Sequence, residues 1–510
     1  MSNKRWVISG IDKELCKELS AECEIDPFTA LLLGSRGITD PLEIDEFLSD
    51  EPEFNDPSAF LGMDKAVERI QKAIDSFERI AIYGDYDVDG ITSTALLYSY
   101  LSSKGADVMF YIPDRIEEGY GMNKQSIEKL NSHEVTLIIT VDNGINASVE
   151  IDYAATLGMD VVVTDHHIPS GGEVNAAAIV NPHREGCESP YKSYAGVGVA
   201  YNLVCALEGC DAAQLLAEYG DLVTLGTIAD VMPLTGENRK FVKHGLQFIN
   251  SHSRIGLTAL IKAAGLSEKA ITAGSVAFML APRLNAAGRI GLPDRAVNLL
   301  LTDNEEYAEE LAIQLNSENT GRQQMEAEIL AEVTDRFLPD GKVTASRVIV
   351  VAGEGWHHGV IGLVAARLCE KFGKPAIAFS VGDKEAVGSA RSIADVSIHE
   401  LIDGVSDLVT AFGGHKSAAG LTIETEKLKD FIKAINTYAA EIYPEMPFPE
   451  LRLDCKLNPA ALSVDTVHAQ RILEPFGCGN PTPIFGLYGF NLTAVTPVGG
   501  GKHLRLSACP

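Results

Sequence analysis

The sequence predicts an α/β protein: a parallel-sheet domain, a helical connector, a second and smaller α/β domain, and a partial β domain at the C-terminus. Between residues 78 and 180, short runs rich in Val, Ile and Thr alternate with amphipathic stretches. A mainly helical region follows, and the alternation restarts at Ser346 with "SRVIVVAG". Because strands that alternate with helices form parallel sheets covered on both faces, these observations predict two α/β domains separated by helices.

The first α/β domain has the clearest pattern in the chain. Its strands are predicted at "RIAIYGD", "ADVMFYIP", "VTLIITVD" and "DVVVTDHH", with helices across residues 91–104 and 147–157. Farther along, "NEEYAEELAIQLNSENTGRQQMEAEILAEVTDRF" is a long helical stretch that can bridge two domains, and we expect Gly321 to mark a break in it. The second domain continues with a helix across residues 360–372 and a strand at "PAIAFS".

The C-terminal region follows the proline-containing linker "YPEMPFPE". Its short strand-like runs resemble the start of an OB-fold, which binds single strands in an electropositive groove, and Lys502, His503 and Arg505 would contribute to such a groove. The chain is thus divided into an N-terminal helical segment (1–55), the first α/β domain (56–235), the helical connector with its long bridging helix (236–340), the second α/β domain (341–445) and a partial OB-like domain (451–510).

Composition narrows the class of protein. No apolar run is long enough to span a bilayer and the N-terminus lacks a signal-peptide core, so we expect a cytoplasmic protein with no membrane partner. The nine cysteines show no CxxC spacing, which indicates reduced, buried thiols. A net charge of −29 argues against a protein that coats nucleic acid through a broad basic surface. A local basic groove, or a site where bound cations supply positive charge, is compatible with it.

Acids and histidines gather at the ends of predicted strands. They are Asp85, Asp87 and Asp89 in "GDYDVDG", Asp142 in "VDNG", Asp165, His166 and His167 in "TDHH", and, later in the chain, Asp230 in "GTIADVMPL". In open parallel sheets, ligands bind beyond the carboxyl ends of the strands. Carboxylates with imidazole are ligands for Mn²⁺ or Mg²⁺, and histidine favours manganese. Two such ions would neutralise the crowded acids and activate water for attack on a phosphoryl group.

Each of these residues also has a simpler interpretation. An aspartate after a strand, such as Asp142, is often the N-cap of the next helix, and Asp89 with the following glycine could form a turn. His166 and His167 would point to opposite sides of a strand, so one of them could be structural. Asp230 alone could belong to an ordinary loop. Their occurrence together at strand ends favours the metal site.

The order of these motifs resembles a known family. "DYDVDG", "VDNG", "DHH" and "GTIADVMPL" are similar to the four phosphoesterase motifs of the DHH family, and "GGHKSAAG" is similar to the glycine-rich signature of the associated DHHA1 domain. The segments "GWHHGVIGLVAARL", "APRLNAAGR", "GSARS" and "LEPFGCGNPTPIFG" are similar to the bacterial single-strand-specific exonucleases of this family. The resemblance covers nearly the whole chain. It implies a DHH catalytic domain, a DHHA1 substrate-binding domain and a metal-dependent 5′→3′ exonuclease of single-stranded DNA that releases 5′-mononucleotides in DNA repair and recombination.

The resemblance also implies the ligands of two divalent cations, Mn²⁺ preferred or Mg²⁺: Asp87, Asp89, Asp142, His166 and Asp230. It assigns catalytic roles to three residues. Asp142 would bridge the two ions, His167 would face the scissile phosphate, and Asp165 would be a ligand or would orient a histidine. Many members have a histidine four residues before the first ligand aspartate, where this chain has Tyr83. Asp85 or water would then complete that coordination shell.

Substrate binding is predicted for residues within the connector and in the domains on both sides of it: Arg115, Tyr120, Arg283, Asn285, Ser389, Arg391, Gly414, His415 and Lys416. Ser389 and Arg391 can hold a terminal phosphate. The resemblance implies that Arg115 joins them in binding a 5′-phosphate and that Tyr120 stacks on the strand or limits its path. A surface ion pair between Arg115 and a neighbouring glutamate, and a core position for the tyrosine, are the alternatives.

Two other segments leave alternatives open. In "GGHKSAAG", glycine lets backbone N–H groups approach a phosphate beside His415 and Lys416. The alternative is a plain turn before a packed helix, which would not need a His-Lys pair. The "APRLNAAGR" segment, with Arg283, Asn285 and Arg289, either lines the strand channel or caps and packs a helix against the catalytic domain.

Two other functions compete with the exonuclease. A DHH phosphodiesterase of short oligoribonucleotides or cyclic dinucleotides would normally stop after the DHHA1 domain, so the connector and the β region count against it. A non-catalytic nucleic-acid-binding scaffold would be expected to have lost metal ligands. The partners implied are single-stranded DNA with a 5′-phosphate and a single-strand-binding protein or a helicase, with the chain acting as a monomer.

Overall fold

The computed structural model describes residues 4–115, 118–119, 121–172, 174–251, 253–337, 341–458, 463–501 and 503–509. The chain folds into two compact units. The larger unit contains residues 51–447 and 475–480, and the smaller unit contains residues 3–50, 448–474 and 481–510. The chain begins with elements of the smaller unit: β1 (Arg5–Ile8), α1 (Lys13–Glu22), α2 (Pro27–Ser35) and α3 (Pro41–Leu48).

The first α/β domain contains a five-stranded parallel sheet in the order β3-β2-β4-β5-β6. Its elements are α4 (Met63–Asp75), β2 (Ile80–Tyr83), α5 (Val88–Ser103), β3 (Val108–Tyr111), α6 (Lys124–Ser132), β4 (Leu137–Val141), α7 (Ser148–Thr156), β5 (Asp160–Thr164), β6 (Ala178–Val180), α8 (Gly196–Glu208) and α9 (Leu216–Ala229). The four predicted strands are thus confirmed, and the three-residue β6 adds a fifth. A doubly covered parallel sheet was the fold class predicted for this region.

The two faces of this sheet are buried in different cores. Ile80 and Ile82 of β2 belong to one hydrophobic cluster, whereas Ala81 and Tyr83 belong to another. Because successive strand residues point to opposite faces, this division shows that helices cover both sides of the sheet. The continuous apolar strands are therefore required by burial on both faces, which favours charged side chains beyond the strand ends.

The helical connector consists of α10 (Gly236–Ser251), α11 (Ile255–Ala263), α12 (Ala273–Ser275), a π-helical turn at Val276–Leu280, α13 (Ala281–Ile290), α14 (Asp294–Leu301) and the long α15 (Glu305–Phe337). The break expected at Gly321 was wrong, because α15 is continuous through it. Buried side chains recur along one face of the helix on both sides of the glycine, from Leu315 to Ile329. This continuous packed face outweighs the low helix propensity of one glycine.

The second α/β domain has a five-stranded mixed sheet in the order β10-β11-β9-β8-β7, in which only the β7–β8 pair is parallel. Its elements are α16 (Lys342–Ala345), β7 (Ile349–Glu354), α17 (His358–Phe372), β8 (Ala376–Val381), β9 (Glu385–Arg391), α18 (Ile398–Asp403), β10 (Ala411–His415), β11 (Ala418–Glu424) and α19 (Leu428–Ile442). The "GGHKSAAG" segment forms the β10–β11 hairpin. The alternative of a turn before a packed helix was therefore wrong.

The smaller unit joins both ends of the chain. Its C-terminal elements are β12 (Glu450–Leu453), β13 (Cys455–Lys456), α20 (Val464–Ala469), β14 (Phe485–Gly486), β15 (Asn491–Val498) and β16 (His503–Cys509). Strand β1 pairs with β12 in parallel, with Arg5 opposite Glu450. The N-terminal segment, expected to be helical, therefore begins with a strand whose partner is distant in the sequence. β15 and β16 form an exposed antiparallel hairpin that contains His503 and Arg505, and Lys502 lies outside the described residues.

Among the described residues, no helix combines the length and apolar character needed to cross a membrane.

The continuity of α15 can be tested by replacing Gly321 with alanine. A Cβ atom at this position would have Ile290 Cδ1 at 3.9 Å as its neighbour, so alanine fits without a clash. We expect Gly321→Ala to raise the free energy of unfolding by about 1 kcal/mol, because glycine is the weaker helix former. Urea denaturation followed by circular dichroism measures it. As a control, Gly288→Ala should destabilise the protein, since its Cβ would lie 2.1 Å from the Tyr86 carbonyl oxygen. A loss of stability in Gly321→Ala would contradict the expectation.

Candidate metal centre

The loop after β2 brings the first three candidate ligands to the start of α5. Asp87 is the N-cap of this helix, and its Oδ1 accepts hydrogen bonds from the backbone N–H groups of Asp89 (2.9 Å) and Gly90 (3.1 Å). Glycine is required at 90, because a Cβ there would lie 2.4 Å from the Asp85 carbonyl oxygen. The tight loop places Asp85, Asp87 and Asp89 together beyond the strand end. Asp87 combines the capping role with a ligand position, since Oδ2 takes no part in these two bonds.

Asp89 joins α5 to α8. It is buried, and its two oxygens accept hydrogen bonds from the backbone N–H groups of Gly196 (2.6 Å) and Val197 (2.9 Å) in the first turn of α8. The partial positive charge of this helix N-terminus stabilises the carboxylate. Burial nevertheless raises the pKa of Asp89 well above its usual range, and the nearby Asp230 and Asp87 raise it further. The role of the Gly196 amide was not found from sequence, although the glycine-rich "AGVGVA" run is a signal for such a helix start.

Asp142 follows β4 in a left-handed conformation, with φ of 62°. This conformation is uncommon for any residue with a Cβ, and such residues cluster at functional sites. It brings Asp142 Oδ1 to 3.0 Å from His166 Nε2. Gly196 packs directly against it, since a Cβ on Gly196 would lie 2.6 Å from Asp142 Cβ. Burial, and to a smaller extent repulsion from Asp89, raises the pKa of Asp142 well above its usual range.

His166 lies at the centre of the carboxylates. Its Nε2 is 3.7 Å from Oδ2 of both Asp89 and Asp230, in addition to its approach to Asp142. Burial, and then the charge on His167, lower the pKa of His166 to about 4. The ring is therefore neutral at pH 7, which is the form that ligates metals. Asp230 caps the end of helix α9, so the expected position at a strand end was wrong for this residue. Burial followed by repulsion from Asp87 raises the pKa of Asp230 to about 7.

Asp165 is occupied by hydrogen bonds within the protein. Oδ1 accepts from His167 Nδ1 at 2.7 Å and from the backbone N–H groups of both histidines, and Oδ2 accepts from Ile145 N–H at 2.9 Å. Burial alone would raise the pKa of Asp165, but the bonds from His167 hold it below its usual range. Of the two roles left open, these contacts favour orientation of the histidine.

His167 has the opposite environment to its neighbour. Burial alone would lower the pKa of His167. The hydrogen bond with Asp165 and the negative charge of that carboxylate together outweigh burial, and they raise the pKa to about 9. The side chain is 43% exposed and its Nδ1 lies 3.9 Å from Asp142 Oδ1. Asp165 holds Nδ1, so Nε2 is the ring atom that can face a substrate.

The surroundings of Tyr83 and Asp85 bear on whether Asp85 can complete the coordination shell in which this chain lacks a histidine. The Tyr83 hydroxyl is hydrogen-bonded to the Gly121 carbonyl (3.1 Å) and to Ser126 Oγ (3.0 Å), within a fully buried core. Asp85 is also buried, and its Oδ1 has no hydrogen-bond partner among the residues that the structure describes. Burial and then Asp87 raise its pKa well above the usual range. A buried carboxylate oxygen without a donor is what a cation ligand requires.

The side chains form three groups, and within each group the candidate ligand atoms all lie within 4.8 Å of one another. The groups are Asp85, Asp87 and Asp142; Asp89, His166 and Asp230; and Asp142, His166 and His167. The first two groups contain no common residue, and Asp142 connects them through its 3.0 Å approach to His166. The donor set of carboxylates and a neutral imidazole suits Mn²⁺ or Mg²⁺. The residues therefore fit a site for two divalent cations. All six predicted ligands, including Asp85, belong to these groups.

An arginine cluster in the same unit interacts electrostatically with the acids of the metal centre, since Arg115 acts on Asp85 and Arg289 interacts with Asp87. It consists of Arg115, Arg289 and Arg391. Arg391 Nη1 donates to Ser389 Oγ (3.3 Å) and to the Ala390 carbonyl, and Arg289 donates to the Gly359 carbonyl at the start of α17 (3.2 Å). Burial, followed by the charges of Arg115, Arg322 and Arg391, lowers the pKa of Arg289 to about 10.

The other residues of the predicted substrate site have separate positions. The Arg115 guanidinium stacks over the Tyr86 ring, 5.0 Å from its centre. Arg283 donates to Asn316 of α15, and Asn285 accepts from Val88 N–H at the start of α5 (3.2 Å). These contacts favour the packing role over the channel for the "APRLNAAGR" segment. Tyr120 lies outside the described residues.

The glycine-rich hairpin presents its polar residues to solvent. His415 and Lys416 are exposed at its tip, and His415 Nδ1 accepts from Ser417 N–H at 3.3 Å. Gly414 has φ of 147°, and a Cβ there would lie 2.4 Å from the Ala418 carbonyl oxygen, so glycine is needed for the hairpin itself.

Comparison with family models identifies the class of protein. The DHH family N-terminal domain matches residues 79–227, the DHHA1 domain matches residues 340–441, and the RecJ OB domain matches residues 453–509. The two α/β domains, with their cluster of aspartates and histidines, are thus those of a DHH-family protein.

Comparison with individual relatives assigns the chain more specifically. The single-stranded-DNA-specific exonuclease RecJ of Salmonella typhimurium is 35% identical over 508 residues, which cover 96% of this chain and 87% of that protein. RecJ of Bacillus subtilis is 38% identical over 511 residues, or 99% of this chain, and the chain spans only 64% of that relative's length. The crystal structure of RecJ from Thermus thermophilus in complex with Mn²⁺ superposes with a TM-score of 0.84 at 33% identity, covering 99% of this chain and 72% of that one. The chain belongs to the RecJ family.

The position of Asp85 predicts a measurable effect on metal binding. We expect Asp85→Asn to weaken Mn²⁺ binding at one of two sites by at least about tenfold, because it removes a charged oxygen from the Asp85, Asp87 and Asp142 group. Isothermal titration calorimetry of the metal-free protein measures both sites. Asp64→Asn, in the exposed first turn of α4, is the matched control and should bind as the wild type does. An unchanged isotherm for Asp85→Asn would exclude Asp85 as a ligand.

Proposed function

We propose that this protein is a metal-dependent 5′→3′ exonuclease that hydrolyses single-stranded DNA to 5′-mononucleotides in DNA repair and recombination. The observation that carries the proposal is the pair of ligand groups joined by Asp142, which gather residues that follow parallel strands and Asp230 at the end of α9. The names of the RecJ relatives describe enzymes specific for single-stranded DNA, and solved RecJ structures contain Mn²⁺ or Mg²⁺.

The chemistry divides between the cations and the chain. Two Mn²⁺ or Mg²⁺ ions would supply Lewis acidity and an activated water for in-line attack on the phosphodiester. Six side chains would hold them: Asp85, Asp87, Asp89, Asp142, His166 and Asp230. Asp165 fixes the ring of His167 through Nδ1, so that Nε2 can donate a hydrogen bond to a phosphoryl or leaving oxygen as negative charge develops there.

The arginine cluster accounts for the polarity of the proposed reaction. Arg391 donates a hydrogen bond to Ser389. Together with Arg115 and Arg289, it concentrates positive charge in a protein of net charge −29. A terminal phosphate carries more negative charge than an internal one and would relieve the mutual repulsion of these guanidinium groups. Binding of a 5′-phosphate here would place the first phosphodiester bonds near the metal centre, as a 5′→3′ exonuclease requires.

The partners and setting follow from this function. We propose a monomer that acts with a single-strand-binding protein or a helicase, because either partner would supply or hold the single strand. The cytoplasm is the compartment where a bacterial protein meets such DNA. Light scattering after size-exclusion chromatography measures the oligomeric state.

The proposed reaction is tested by supplying Mn²⁺ and four substrates: 5′-phosphorylated single-stranded DNA, duplex DNA, a dinucleotide and pyrophosphate. We expect rapid degradation of the single strand alone, and loss of this activity in Asp142→Ala or after chelation with EDTA. Equal or faster cleavage of the dinucleotide would instead favour the short-oligonucleotide phosphodiesterase. Binding of DNA without cleavage would favour the non-catalytic scaffold.

The role of the arginine cluster predicts a dependence on the 5′-phosphate. Arg391→Gln should lower kcat/KM for 5′-phosphorylated single-stranded DNA by about 10- to 100-fold, since hydrogen bonds to charged groups contribute about 1.5–3 kcal/mol. The effect on 5′-hydroxyl DNA should be much smaller, and the slope of activity against salt should become shallower. Arg336→Gln, which removes an exposed arginine of α15, is the control. Equal losses on both substrates would contradict the assignment of Arg391 to the 5′-phosphate.

A further inference from the structure

The residue after Asp230 has an unusual backbone conformation. Helix α9 ends with hydrogen bonds from Val231 N–H to the Ile228 carbonyl and from Met232 N–H to the Thr227 carbonyl, both of 3.2 Å. This is a Schellman ending, in which the residue at the position of Val231 adopts a left-handed conformation and is usually glycine. Val231 has φ of 59°. A β-branched residue in this region is a genuine outlier, so the backbone here is strained.

Burial of the side chain does not compensate for this strain. Val231 is 67% exposed, although it is apolar. Glycine at this position would remove the steric cost and expose less apolar surface. Neither the backbone nor the packing of the isolated protein therefore explains a valine.

Val231 is the sequence neighbour of a candidate ligand of the metal centre. Asp230, its neighbour, has Oδ2 3.7 Å from His166 Nε2, and adjacent Cα atoms are only about 3.8 Å apart. The following loop is held in place, because Leu234 N–H donates to the Cys478 carbonyl (2.7 Å) and the Tyr191 hydroxyl donates to the Thr235 carbonyl (3.0 Å). Val231 thus directly follows a candidate ligand and lies at the start of a loop that hydrogen bonds hold in place.

The chain contains a matched comparison for this feature. Phe77 follows α4 with φ of 55° and is 84% exposed, and it has the same pair of hydrogen bonds, from Phe77 N–H to Ile74 and from Glu78 N–H to Ala73. Phe77 precedes β2, at the opposite end of the sheet from the metal centre. An exposed apolar residue in the same strained turn therefore occurs both near the site and away from it.

We propose that Val231 is a substrate-contacting residue, whose exposed side chain packs against the base or the deoxyribose of the nucleotide held at the metal centre. This inference rests on the proposed function. The apolar surface of Val231 would leave water only when the nucleotide covers it, so the contact contributes to substrate binding and not to folding. Base faces and deoxyribose both offer apolar surface for this contact.

The test compares Val231→Gly with Phe77→Gly. Both substitutions should raise the melting temperature, because both relieve a left-handed residue. Val231→Gly should lower kcat/KM for single-stranded DNA by about tenfold, mainly through KM, as expected for most of a valine side chain no longer being buried. Phe77→Gly should leave the kinetics unchanged. Val231→Ala, which removes the apolar group but keeps a Cβ, should show a similar kinetic loss without the full gain in stability.

Calorimetric titration with Mn²⁺ separates contact with DNA from an effect on Asp230. We expect Val231→Gly to bind Mn²⁺ as the wild type does. Weaker Mn²⁺ binding in parallel with the kinetic loss would overturn the proposal, as would unchanged kcat/KM or a lower melting temperature in Val231→Gly. An inactive wild type would instead refute the proposed exonuclease function. DNA with an abasic first nucleotide identifies the contact: the effect of Val231→Gly disappears with it if the base is contacted, and persists if the deoxyribose is.

Discussion

Mutual repulsion among buried carboxylates is the constraint on which the arrangement of this protein depends. Asp85, Asp89, Asp142 and Asp230 all have raised pKa values, first because they are buried and then because they lie near one another. The fold offsets part of this cost with backbone N–H groups at helix N-termini. Asp87 receives those of α5, and Asp89 receives those of α8. The carboxylate oxygens that lack such donors define where divalent cations are needed.

The two adjacent histidines show how strongly local contacts determine chemistry. His166 is buried among the carboxylates and has a pKa near 4, whereas His167, held by Asp165, has a pKa near 9. The same residue type is thus neutral in one position and protonated in the next at pH 7. A neutral imidazole suits a metal ligand, and a protonated one suits stabilisation of a developing negative charge.

The acidic composition of the chain is compatible with an anionic substrate because positive charge is concentrated locally. Arg115, Arg289 and Arg391 come from three different parts of the sequence. Burial, and then the charges of neighbouring arginines, lower the pKa values of Arg289 and Arg391. Their repulsion resembles that of the carboxylates with the sign reversed. Both clusters are unfavourable in isolation, and both are stabilised by ligands of opposite charge. A phosphodiester with a terminal phosphate and two bound cations would meet both requirements at once.

The sequence alone determined the parallel sheet and the identity of the candidate ligands. Strand periodicity is a local property, and the carboxyl ends of parallel strands must lie at one edge of the sheet. The sequence was therefore enough to predict that Asp87, Asp142 and His166 lie close together. Other features depended on partners far away in the chain. β1 was not recognised because it pairs with β12, and the break expected at Gly321 is absent because α15 packs through it. The amides that hold Asp89, the contacts that occupy Asp165 and the strained exposure of Val231 were likewise decided by tertiary structure, because hydrogen bonds and burial depend on distances that local patterns do not contain.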